Sequence, residues 1–179
     1  MPIESFTHFQ PSVHPLSFLH PSALLIGEVY IEEAVSVWPY CVLRGDCGAL
    51  YVGKGSNLQE SCILHATTHL SSVQIGENCT VGHRALLHGC RVGEGCLVGM
   101  GAILLDNCQI GPWSIVGAGT LVPANKTFAP RSLLVGSPAR VVRPLTDEEV
   151  ENLQLSAQNY WKLAQTYLQQ AASKQNGAP

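Results

Sequence analysis

The chain has 179 residues, 46% of them hydrophobic and 13% charged, with a formal net charge of −3. That is enough for one domain with a substantial core, and it offers no basic surface to nucleic acid. No basic start precedes an apolar run of signal length and no stretch is apolar enough to span a bilayer, so a cytoplasmic protein away from membranes is expected.

Residues 1–22 carry Pro2, Pro11, Pro15 and Pro21 among His8, His14 and His20, and they read as an extended arm with solvated histidines. From Leu25 a repeat takes over. Aliphatic residues recur six apart at Ile31, Val37 and Leu43, at Val52, Leu58 and Leu64, and at Ile75, Val81 and Leu87. The run from Val92 through Val98, Leu104, Ile110, Val116 and Val122 is unbroken. Glycine often follows the aliphatic, and a small residue stands four positions after it, as at Cys41, Ser56, Cys62, Cys79, Ala85, Cys96, Ala102 and Cys108.

This period predicts a mainly β fold, a left-handed parallel β-helix over residues 23–123 with a triangular cross-section and eighteen residues per coil. Each aliphatic points into the lumen and stacks on its copy one coil away, so successive coils bury a core that no single repeat could bury. The small residue points inward near a corner. Five of the seven cysteines occupy that slot, where a thiol serves as a small hydrophobe, and no CxxC pair is present. Cys47 and Cys90 fall outside it and stay unassigned.

Two steps break the period: Leu64 to Ile75 is eleven residues, with Ala66–Ser72 as a bulged loop, and Leu87 to Val92 is five. Both lie beside histidines. After Pro123, residues 124–145 read as a crossover loop and short strand. A C-terminal α-helix over 146–170 follows, opened by Thr146 and Glu149 as a capping box and laid along the β-helix by Val150, Leu153, Ala157, Tyr160, Trp161, Ala164 and Leu168. Residues 171–179 read as a flexible tail.

His65, His83 and His88 are candidate metal ligands, because three imidazoles with one open position make a catalytic zinc site. If the bulged loop replaces one corner, Leu64 and Leu87 fall on the third side of the triangle in neighbouring coils. His65 and His88 then stand one strand spacing apart, about 4.8 Å. His83 follows Val81 on the second side, across a corner. In a three-fold assembly that side can face the third side of the next chain, so the site would lie between copies. Zinc is the first choice, and imidazole also suits iron or cobalt.

At these residues the chain resembles the gamma-class carbonic anhydrase family of the hexapeptide-repeat superfamily. The resemblance runs from about Leu25 to Leu168 and rests on LRGD at Leu43–Asp46, NLQE at Asn57–Glu60, and the histidines of LH (His65), VGH (His83) and LHGC (His88), with NYW around Tyr160. It implies a homotrimer holding Zn2+ (or Fe2+ or Co2+) between subunits on His65, His83 and His88, and reversible hydration of carbon dioxide to bicarbonate. It implies that Gln59 hydrogen-bonds the reacting water, that Asn57 lies beside carbon dioxide or bicarbonate, and that Tyr160 stands near the metal. Arg44, Asp46 and Glu60 match an inter-subunit charge cluster, although the family usually has aspartate at position 60. The family's acidic proton-shuttle loop reads ATTHLSS here and Cys47 replaces a frequent acid, which leaves His69 as the candidate shuttle. Other readings are a CoA-dependent acyltransferase, suggested by GSPAR at Gly136–Arg140, a metal-dependent thioester hydrolase, and a trimeric scaffold whose metal is structural.

Overall fold

A computed structural model describes residues 3–176, and it shows a parallel β-solenoid of about seven coils with one C-terminal helix. Three ladders of inward aliphatics form the three faces. The first face stacks Val13, Ile31, Val52, Ile75, Val92, Ile110 and Phe128. The second stacks Leu19, Val37, Leu58, Val81, Val98, Val116 and Leu134. The third stacks Leu25, Leu43, Leu64, Leu87, Leu104 and Val122. The leucines of the third face are completely buried, and with the second-face ladder they form one continuous core. Two strands, Leu24–Ile31 and Val42–Val52, run unbroken around the corner between the third and first faces, so the three faces make two hydrogen-bonded sheets.

The solenoid is longer at both ends than the sequence reading allowed. The stretch expected to be an extended arm contains the strands Ile3–Glu4, Ser12–Val13 and Phe18–Leu19, all paired in parallel with the coil above. Val13 and Leu19 hold the same six-residue phase as Leu25, and the prolines between them sit outside the two-residue strands, where a missing N–H removes no ladder bond. Past Pro123 the phase continues through Phe128 to Leu134. The chain then turns back in an antiparallel hairpin of Ser132–Gly136 with Ala139–Pro144.

Cys90 also finds its place. Counted back from the next aliphatic, it stands two residues before Val92, as Cys108 stands two before Ile110, and it is buried in the inward slot. Counting forward from Leu87 across the shortened corner misses it. Six of the seven cysteines are thus buried free thiols, and Cys47 alone is partly exposed.

The helix spans Asp147–Asn176, longer than the expected 146–170, and takes up most of the stretch read as a tail; residues 177–179 lie outside the described part. The capping box forms as anticipated: the Thr146 N–H donates to Glu149 Oε2 at 2.9 Å and the Glu149 N–H to Thr146 Oγ1 at 3.2 Å. Leu153, Ala157 and Ala164 are buried against the second face, where Trp38 meets Tyr160 edge-on at 5.9 Å. No described helix is long and apolar enough to cross a membrane.

Candidate metal centre at one corner

Departures from the six-residue period concentrate at the corner between the third and first faces. The register slips by extra residues between Gly45 and Leu50, the loop Ala66–Ser72 bulges in the next coil, and Gly89 shortens the coil after that. This corner holds His65, His88, Asp46 and Asp106, all half-buried.

His65 and His88 are direct register partners, as the side count requires. Their rings meet at His65 Nδ1 and His88 Nε2, 3.2 Å apart. The outer nitrogens face carboxylates: His65 Nε2 lies 3.1 Å from Asp46 Oδ1, and His88 Nδ1 lies 3.1 Å from Asp106 Oδ2. An ionised carboxylate only accepts, so each outer nitrogen carries the ring proton and each inner one presents a lone pair. With both rings neutral, two lone pairs face each other across this gap. Two nitrogens bound tetrahedrally to one zinc at its usual bond lengths would lie about 3.3 Å apart. The pair fits a shared metal in both spacing and chemistry.

The electrostatics agree. Burial holds the His65 pKa below its ordinary value, with Arg44 and His88 acting in the same sense and Asp46 against, which favours the neutral ligand form. Burial raises Asp46, but the hydrogen bonds from Arg44 (2.6 Å) and His65 outweigh it and hold the carboxyl below its usual range. Asp106 is likewise raised by burial and brought down further by Ser71 and His88. The donor atoms of Asp46, Cys47 and His65 lie within 4.8 Å of one another, so Cys47 borders the same corner.

His83 stands elsewhere in the chain. It follows the second-face strand Thr80–Val81 and is only partly covered, with Nδ1 2.6 Å from Glu60 Oε2. Beside it a cleft of about 290 Å3 opens between the helix and the second face, lined by Gln59, Thr80, His83, Met100, Ser156 and Tyr160 among others. Burial, then Glu60, raises the Tyr160 pKa. The expected residues therefore divide into two groups. Arg44, Asp46, His65 and His88 form one, and Gln59, Glu60, His83 and Tyr160 form the other. Asn57 is buried beneath the helix, where its Nδ2 donates to Thr80 Oγ1 at 2.9 Å and its Oδ1 faces Gln59 Nε2 at 3.4 Å. His69 sits exposed at the loop tip with φ 57° and makes none of these hydrogen bonds.

Sequence reasoning missed Asp106. The signal was present: Asp106 lies eighteen residues after His88, one coil length.

A profile described as bacterial transferase hexapeptide (six repeats) matches residues 89–124, and one described as the hexapeptide repeat of succinyl-transferase matches 72–105. The carnitine operon protein CaiE of Citrobacter koseri is 44% identical over 160 residues, which is 89% of this chain and 81% of that protein. The chain belongs to the CaiE family of hexapeptide-repeat proteins. A hexapeptide transferase family protein of Anaplasma phagocytophilum superposes with TM-score 0.89 at 35% identity, covering 93% of this chain and 98% of that one. A Bacillus cereus protein described as a candidate acetyltransferase superposes equally well at 34% identity, over 92% and 95% of the two chains.

Proposed function

We propose that this CaiE-family chain is a metal-dependent enzyme of the gamma carbonic anhydrase type, hydrating carbon dioxide at sites between the chains of a homotrimer. The observation that carries the reading is the His65–His88 pair, with Nδ1 and Nε2 3.2 Å apart and both outer nitrogens facing carboxylates. An outer carboxylate on a ligating histidine is the usual support of a metal centre. His83 shares this trait through Glu60 and completes a three-histidine set if contributed by a neighbouring copy. The outward ladder of the third face supports that packing. Leu24, Val42, Ile63, Leu86, Ile103 and Leu121 stand there in register where a solvated strand would alternate to polar, and Ile63 is 44% exposed.

His65 and His88 would hold a zinc, iron or cobalt ion from one chain and His83 from the next. Such an ion supplies a coordinated water whose pKa falls to about 7, a nucleophile for carbon dioxide at neutral pH. The other steps belong to side chains. Gln59 and Tyr160 beside His83 orient the reacting water and the carbon dioxide oxygens, Asn57 fixes Gln59, and His69 takes the released proton to solvent. Arg44 and Asp46 keep the His65 outer nitrogen protonated and its inner one free to bind.

Metal analysis of anaerobically purified protein, beside a carbon dioxide hydration assay and sedimentation, tests the reading. Wild type should hold about one metal per chain in a trimer, a stoichiometry set by three ligands per site, and His88→Ala should lose both metal and activity. A metal-free, inactive wild-type trimer would refute it. Acyl transfer from CoA is the second reading, favoured by the transferase descriptions of the matched profiles and of the two structures above 30% identity. Acetyl-CoA binding that persists in His65→Ala without metal would favour transfer, whereas metal-dependent release of CoA would favour thioester hydrolysis. A metal whose removal dissociates the trimer, with no activity to lose, would mark a structural site.

A further inference from the structure

Asp106 belongs to the coil after His88, yet it reaches two coils. Its Oδ2 faces His88 Nδ1 at 3.1 Å and accepts from Thr67 Oγ1 at 3.3 Å, while Oδ1 accepts from Ser71 Oγ at 2.5 Å. Ser71 Oγ in turn accepts the Thr67 N–H at 3.0 Å, so the carboxylate grips both ends of the bulged loop. The reach is possible because Gly89 lies between them. A Cβ at Gly89 would stand 2.2 Å from both Asp106 Oδ1 and Ser71 Oγ. A surface carboxylate that happened to meet a histidine would need neither the two hydroxyl donors nor the side-chain gap.

We propose that Asp106 is a positioning residue with two linked effects: it keeps the proton of His88 on Nδ1, so that Nε2 is the metal-binding atom, and it holds the Thr67–Ser71 loop against the metal corner. The metal half of this inference rests on the function proposed above; the tautomer half does not. In neutral imidazole the acceptor on one nitrogen decides which nitrogen binds a metal. Without Asp106, His88 is free to carry its proton on Nε2, where it blocks the inner position.

The test uses the full chain, labelled with 15N-histidine and stripped of metal, with ring tautomers read from long-range 15N–1H correlations. Zinc is then titrated against a competing chelator. Wild-type His88 should be protonated at Nδ1. Asp106→Ala should move it toward the Nε2 tautomer and weaken zinc binding by about 10–100-fold. Ser71→Ala, which releases only the loop, should leave the tautomer unchanged and cost less affinity. Wild-type His88 protonated at Nε2 would overturn the proposal without recourse to any variant. So would an Asp106→Ala protein with an unchanged tautomer and unchanged zinc affinity. If wild type binds no zinc while His88 is protonated at Nδ1, the proposed function fails and the role of Asp106 toward His88 stands.

Discussion

Gly89 and Gly101 share a backbone conformation but not a neighbourhood, and replacing each with alanine separates strain from crowding. Their φ values are +60° and +66°. A side chain in that region costs about 1–2 kcal/mol, the same at both positions. At Gly101 nothing lies within 4 Å of the added Cβ, so strain is the whole expected effect. At Gly89 the Cβ meets Asp106 and Ser71 at 2.2 Å, and the carboxylate must withdraw. That gives up the short Ser71 hydrogen bond and the His88 contact. Hydrogen bonds to charged groups are worth about 1.5–3 kcal/mol each, and water recovers part of that at a half-buried site. Gly89→Ala should therefore destabilise the protein by about 2–4 kcal/mol more than Gly101→Ala. Urea unfolding followed by circular dichroism, at one fixed protein concentration, measures the difference. Equal midpoints and slopes for the two variants would refute the account of the corner as a filled polar cluster.

Other outcomes follow from the packing of the coils and the helix cap. Leu87→Ala removes a fully buried side chain stacked between Leu64 and Leu104 and should cost about 2–5 kcal/mol in the same urea titration. In the native protein one thiol, Cys47, should react readily with a disulfide reagent such as DTNB, and the six buried thiols should react only on unfolding. The Arg143 hydrogen bond and the Thr146 N–H hold the Glu149 carboxyl at about 2, against an ordinary 4.5. Its folded-state pKa is depressed, so its contribution is complete above about 4.5 and is lost as the pH falls through about 2. The pH dependence of thermal unfolding over that interval should flatten in Glu149→Gln.

The interior of this fold was legible in the sequence because the lumen enforces a strict period. Side assignment through an eleven-residue interruption still placed His65 opposite His88, because a bulge at a corner leaves the flanking strands on their faces. The end coils were less legible. Pro11, Pro15 and Pro21 masked Val13 and Leu19 although both keep the phase. Asp106 escaped notice for a different reason. The lumen does not constrain an outward residue, and the one-coil spacing of Asp106 from His88 gains meaning only when coil stacking sets the two side chains together. Gly89 looked like part of an irregular step, whereas it is the gap that lets coils three and five touch.

The C-terminal helix has a consequence for how this solenoid opens. In a repeat array each coil touches only its neighbours, so unfolding can start at any end and travel. Here the helix packs against the second-face strands beginning at Phe18, Ser36, Asn57 and Thr80, one from each of the first four coils. It acts as a splint that makes those coils open together or not at all. His65, His83 and His88 lie on or beside those coils, and the start of the helix is tied to the last coil and its hairpin, where Arg131 pairs with Asp147 and Arg143 with Glu149. Amide exchange should be slowest in the second-face strands that the helix covers, around Ser36, Asn57 and Thr80, and faster in strands it does not cover.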